Sequence, residues 1–366
     1  MRRAFTLVEL LVTMAIVALL VGISLGALRM AANTSREKNT LSAIRKLDAA
    51  VQGRMEEYRT RRLRIDVQAV AVSRGWISAG QQPTYLQSAR IRLDGMRELQ
   101  RLELPHRYED VTADLSAWPN CQLVPLQVLT NAPSLSASWL RRINDNTNAQ
   151  GPAAPSLLYQ SAECLYLIAH SMQDEFGEPV SISTRHVGDA DLDGMLEYQD
   201  GWGNPISFLR WAPGYVSDHQ PAISQGADGA WGVAGTDDDG NGTTDDALEA
   251  GAPGSDDETI LANPGPPAPI GRDAENNHDP FDPLKTDMPT AAPRGWRTVP
   301  LIYSAGEDGA QDIWSVSDLL TEPPISWIDP YYQKAGDPLP GEAFDTDGEG
   351  FGDLDNITNQ DGTEAR

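Results

Sequence analysis

The sequence predicts an α+β chain: a long N-terminal transmembrane and amphipathic helix, a helical middle, and a small antiparallel β-sheet head with long acidic loops. Three observations predict it. An apolar run without a charge spans Leu10 to Leu28. Beyond it, apolar residues recur at helical spacing. From Gly188 onward Gly, Asp, Asn and Pro dominate, and short apolar runs lie between turn signals.

The apolar run is broken only by Thr13 and Ser24 as mild polar residues. At about 1.5 Å per residue it matches the thickness of a bilayer core. Arg2 and Arg3 precede it and belong on the cytoplasmic side. Glu9 stands at its mouth. A carboxylate there is costly in lipid and needs a partner, a cost that a disposable secretory signal has no reason to carry. Gly22 and Gly26 lie four apart on one helix face, a spacing that lets helices approach closely. The same stretch reads Gly-x-Ser-x-Gly, but Ser24 sits mid-membrane with no strand before it, so no nucleophile is inferred.

The helix is expected to continue to about Arg62. Leu41, Ile44, Leu47, Val51, Met55 and Tyr58 recur at spacings of three and four, and charged residues fill the other face. Arg59, Arg61, Arg62 and Arg64 read as a solvated helix end. Three further helices are expected at Thr84–Glu103, at Ser134–Ile143 with a cap at its start, and at Pro155–Met172, opened by the proline. All three read as core. Strands are expected at Ile206–Trp211 and Val299–Ser304, with a short one at Asp312–Trp314. Residues 251–296 read as loop or linker, and the tail after Asp353 is expected to fray.

Composition narrows the partners. The chain has 366 residues, 40% of them hydrophobic, with 53 acids against 28 bases and a formal net charge of -25. That balance excludes nucleic acid as a partner and favours cations. Between Asp189 and Glu258 the only base is Arg210. Cys121 and Cys164 form no Cys-x-x-Cys pair, so a zinc site is unsupported; a disulfide and two buried thiols both remain open. The histidines form no metal pair, and no enzyme is expected.

The acids form one ordered pattern. Asp189, Asp191, Asp193, Met195, Glu197 and Asp200 occupy positions of a calcium loop, with Gly194 at the sharp turn and Met195 offering its carbonyl. Position 12 is Asp200 in place of the usual Glu. A second run places Asp237, Asp239, Asn241 and Asp245 in the same register, and a third begins at Asp345. None has flanking helices of the kind a calcium sensor uses.

The basic leader, Phe5, Thr6-Leu7-Val8-Glu9-Leu10 and the long apolar helix together resemble the type IV pilin and type II secretion pseudopilin superfamily. Two later stretches are similar to the same family: Asp200-Gly201-Trp202-Gly203-Asn204-Pro205, with Gly201 where a proline is usual, and Ser304-Ala305-Gly306-Glu307-Asp308-Gly309. The resemblance implies a leader of residues 1–4, cut between Ala4 and Phe5 by a prepilin peptidase that also methylates the new amine. Ala4 stands where the family usually has Gly. Read from the residues, the rest of the chain divides into a stem at 5–62, a helical part of the head at 63–187, an acidic β and loop part at 188–344 and a flexible acidic tail at 345–366. The resemblance implies more. It implies a single-pass inner-membrane protein with a periplasmic head. Assembly on a membrane platform, with other copies or related pilins, would follow, into a periplasmic or extracellular filament. Glu9 would pair with the Phe5 amine of a neighbour. The family's structural calcium would fall near Asp308 and Asp312. A membrane-anchored calcium-binding adhesin that never polymerises is the alternative, and it gives Glu9 no task.

Overall fold

A computed structural model describes residues 7–148, 151–172, 182–215, 279–284, 286, 298–315, 327–332, 338–344 and 356–360. Helix α1 spans Leu7–Tyr58, 52 residues without a break. No proline interrupts it, and Ala, Leu, Met, Arg and Glu fill most of it. It ends a turn short of the expected Arg62. There the amides of Arg59, Thr60 and Arg61 donate to the carbonyls of Glu56, Glu57 and Tyr58. Such tighter bonds satisfy carbonyls that the last turn would leave orphaned.

The two halves of α1 differ in surroundings. From Leu7, 79% exposed, to Met30, 74% exposed, its large apolar side chains touch nothing that hides them. From Thr40 onward one face is buried: Ala43, Ile44, Leu47, Val51, Met55 and Tyr58, with Leu41 half-buried beside them. This is the stripe that the sequence spacing predicts. Each such side chain fully withdrawn from water stabilises the packed state by about 1.5–3 kcal/mol.

Helix α2 covers Val67–Ser73, with Asp66 as its cap. Helix α3 covers Tyr85–Glu103 and opens on a reciprocal cap: the Thr84 hydroxyl accepts from the Gln87 amide, and the Gln87 side chain accepts from the Thr84 amide. Helix α4 covers Ser134–Asn144. Its expected side-chain cap is absent: Pro133 holds the capping position, and Ser136 instead donates to the Pro133 carbonyl. Strands β1 (Thr147–Asn148) and β2 (Gly151–Pro152) pair next. Helix α5 covers Gln160–Ser171, starting later than the expected Pro155. The reason lies outside the segment: Ser156 is drawn into hydrogen bonds with Asp191 and Asp193.

The β part is sparse. Strands β3 (Val187–Gly188) and β4 (Glu197–Tyr198) pair antiparallel. Strand β5 (Ile206–Leu209) pairs with β6 (Leu301–Ser304), Ile206 opposite Ser304 and Leu209 opposite Leu301. Strand β7 (Ile357–Thr358) adds to the other side of β6, so β6 is central. Both longer strands are shorter than expected. β6 begins after Pro300, which has no N–H to give a ladder. β5 ends where Arg210 turns inward to Asp110, 2.9 Å away, and to the Leu104 carbonyl, 2.8 Å away. The expected strand at Asp312–Trp314 is a single bridge, Ile313 to Ala343. The expected fraying of the tail fails at 356–360. There Ile357 and Thr358 are buried in the sheet, and the Asn359 side chain donates to Asp48 of α1 at 2.7 Å.

One apolar cluster joins stem, helices and sheet. Ile44, Leu47 and Val51 of α1 meet Leu99 and Leu102 of α3, Leu165 and Ile168 of α5, and Phe208 and Ile302 of the sheet. Cys121 and Cys164 are both buried free thiols.

Candidate functional site

Two regions carry functional character: the bare half of α1 and an acidic nest beside α5. Ala4 and Phe5 lie outside the described residues. Glu9 lies on α1, and its side chain lies outside them. Gly22 and Gly26 present open space, since a Cβ on either would meet nothing within 4 Å. The α1 segment that begins at Leu10 is long and apolar enough to cross a membrane, and none of its apolar window is buried within the chain. An apolar surface of this extent needs lipid or other helices to cover it.

The head is fixed to the other half of α1 by the turn that starts at Asp200. One carboxylate oxygen, Asp200 Oδ1, accepts from the amides of Trp202, Gly203 and Asn204 at 2.7–2.8 Å. The other accepts from the Ser304 hydroxyl at 2.7 Å. The Asn204 side chain donates to the Gly306 carbonyl at 2.9 Å. So the two stretches that resemble pseudopilins, 200–205 and 304–309, are laced to each other. Asp200, expected at position 12 of the loop that precedes it, gives both its oxygens to this turn and is not grouped with Glu163, Asp191 and Asp193.

Gly201 explains its own departure from proline. Its amide donates to Thr40 Oγ1 of α1 at 2.8 Å. A Cβ there would lie 2.6 Å from Arg36 Cβ and 2.8 Å from the Arg36 carbonyl. A proline would lose the donor and collide with the stem. Nearby, Asn33 donates to Glu307 at 2.7 Å. Gly201→Val is therefore expected to lift the turn off α1 and cost about 1–3 kcal/mol. A fall in the urea midpoint of the detergent-solubilised protein checks it; an unchanged midpoint contradicts the close approach.

The acidic nest joins the loop 189–197 to α5. Leu192 (φ 61°) and Gly194 (φ 97°) both take left-handed backbone, which coils the loop tightly. Asp189 accepts from the amides of Asp193 and Gly194, each at 3.0 Å. Asp193 accepts from the Met195 amide at 2.7 Å and the Ser156 amide at 2.6 Å. Asp191 accepts from the Ser156 hydroxyl at 2.5 Å. Glu197 accepts from the Ala190 amide and from Gln199. The Met195 side chain faces the core beside Tyr108, Ile143 and Cys164.

Into this loop α5 brings Glu163, a residue the sequence reading passed over as core. Ligand oxygens of Glu163, Asp191 and Asp193 lie within 4.8 Å of one another. Glu163 is 0% exposed. Its Oε2 accepts from the Tyr108 hydroxyl, and its Oε1 accepts nothing. Asp191 Oδ1 and Glu197 Oε2 are likewise buried without a donor. Among the described residues no Lys or Arg pairs with any carboxylate of the nest.

Burial pushes the Glu163 carboxyl up to about 9, with Asp193, Asp191, Glu197 and Asp189 adding to it in that order. Burial likewise raises Glu197 to about 7, and it raises Asp193. Leaving such groups charged and unpaired costs several kcal/mol each. Oxygen donors alone line the nest, which suits a hard cation and not zinc.

Asp308 and Asp312 stand apart from the nest. Asp308 accepts from the Ala310 amide at 2.8 Å, and Asp312 is buried with φ 31°. Among the described residues, neither joins a group of three or more ligating side chains. The runs at Asp237, Asp239, Asn241 and Asp245 and at Asp345 lie outside the described residues. Glu163 did leave a trace in the sequence: a lone acid inside the apolar run of a helix, on the face that its neighbours bury.

Residues 1–25 match the family described as the prokaryotic N-terminal methylation motif, the prepilin-type signal. No curated protein and no solved structure matches the chain. The motif supports a type IV pilin-like or pseudopilin subunit, processed by a prepilin peptidase and assembled with other pilin subunits.

Proposed function

We propose that this chain, which opens on a prepilin-type signal, is a structural subunit of a type II secretion pseudopilus or type IV pilus-like filament. The observation that carries the reading is the division of one unbroken helix. Its first part bears the methylation motif and, among the described residues, is exposed, while its second part is locked into the head. A helix built in this way passes from lipid to a bundle of identical helices without rearranging the head. In the membrane the bare part spans the inner bilayer, with the head in the periplasm. In the filament the same surface packs against neighbours, Gly22 and Gly26 allowing close approach. The head in this reading is stabilised by calcium at the loop that starts at Asp189. The protein takes no part in catalysis.

Intact-mass and N-terminal analysis of the mature protein tests it. The expected chain starts at Phe5 and carries one extra methyl group on its amine. A start at Met1, or one beyond Gly26, overturns the reading.

A further inference from the structure

We propose that Glu163 of α5 is a ligand of a calcium ion shared with Asp191 and Asp193, with Glu197 and Asp189 at its margin, so that the ion clamps α5 to the loop before β4. The inference rests on the reading of that loop as a calcium site and extends it from a loop to a helix-and-loop pair.

Two independent observations meet here. Ligand oxygens of Glu163, Asp191 and Asp193 converge within 4.8 Å, the scale of a shared coordination sphere. Separately, Glu163 is wholly buried with Oε1 bare of any donor, and bare buried oxygens on Asp191 and Glu197 stand in the same nest. A buried oxygen without a donor is an open acceptor that a small cation can fill. Among the described residues no cationic side chain supplies one. Ser156 donates to one oxygen each of Asp191 and Asp193, and Tyr108 to Oε2 of Glu163, which orients the carboxylates as hydrogen bonds around a metal's ligands usually do.

The donor set chooses the ion. Carboxylates on a coiled loop, held by backbone amides, give many hard oxygens without octahedral regularity. Calcium accepts six to eight such ligands; magnesium demands a tighter octahedron and keeps its waters. The site is distinct from the 304–312 region, where Asp308 and Asp312 are not gathered with a third ligand among the described residues.

The test is calcium titration of the detergent-solubilised, chelator-stripped protein by calorimetry, with thermal unfolding in parallel. Wild type is expected to bind Ca2+ and to melt at a higher temperature in its presence, with a smaller shift in equal Mg2+. Glu163→Gln keeps the side-chain volume and an acceptor for Tyr108. It is expected to weaken Ca2+ by at least about tenfold, the loss typical even of an outer partner. Circular dichroism of the stripped variant shows that its fold is kept, and Asp191→Asn is expected to weaken Ca2+ in the same way. If Glu163→Gln binds as tightly as wild type, the shared site is overturned while the loop reading stands. If wild type itself shows no response to Ca2+, both are overturned, and the Phe5 start remains a separate test of the filament. A response to Mg2+ equal to that for Ca2+ overturns the choice of ion.

Discussion

Glu9→Gln is expected to leave the protein in the membrane and to stop its incorporation into filaments. The apolar segment from Leu10 onward is untouched by the change, so retention in the membrane fraction is unaltered. What is lost is a charge at the head of that segment. Cleavage after Ala4 would place the cationic amine of Phe5 at the same depth in an incoming subunit. In a medium of low dielectric the two attract strongly, and either one left alone carries its full desolvation cost. Removing one partner of such a pair costs about 3–5 kcal/mol, which lowers association by at least about a hundredfold. Membrane fractionation and electron microscopy of sheared filaments measure the two outcomes separately. Normal filaments from Glu9→Gln contradict the pairing, and loss of the protein from the membrane means that Glu9 serves insertion instead.

The second large effect is expected in the head. Arg210→Met should destabilise it by about 3–5 kcal/mol, much of the roughly 5–15 kcal/mol by which domains are commonly stable. Arg210 is buried, bridges Asp110 and the Leu104 carbonyl, and lies 4.2 Å from the centre of the Trp211 ring. Burial alone would raise the Asp110 carboxyl, but Arg210, then His106 and Arg107, hold it well below the usual carboxylate range. The sign follows from that direction. A carboxylate depressed on folding adds stability above its unfolded value of about 3.9, and the gain fades as pH falls toward the folded value. In Arg210→Met the chief depressing charge is gone and burial prevails, so the Asp110 contribution changes sign. Compared with wild type, the variant should recover stability between pH 7 and pH 5. Urea midpoints of both proteins at the two pH values measure it; a deficit that does not shrink at pH 5 contradicts the assignment.

The parts legible in the sequence are those set by neighbours along the chain. The buried stripe of α1 follows from the three and four spacing of Ile44, Leu47, Val51, Met55 and Tyr58. The reciprocal cap at Thr84 needs only Gln87, three residues on, although the cap expected from the sequence is at Ser134. The coil of the acidic loop follows from Gly194 in its expected place. What escaped depends on partners far away. Pro155 does not open α5, because Ser156 answers to carboxylates some 35 residues later. Asp200 is legible as a calcium ligand by spacing, yet its oxygens are claimed by its own turn and by Ser304, 104 residues away. Glu163 is hidden because an acid in a helix acquires meaning only from the loop that folds over it. β7 is two residues long and sits in an acidic tail, so nothing but its pairing with β6 marks it.

That last strand has a consequence for biogenesis. Ile357 and Thr358 close the outer side of β6, and Asn359 fastens them to Asp48, 311 positions earlier. In the proposed subunit the anchor would therefore enter the bilayer while the clasp is still unmade. The outer edge of β6 stays open until residues 357–359 have followed it. A chain stalled short of that clasp would present an unpaired strand edge.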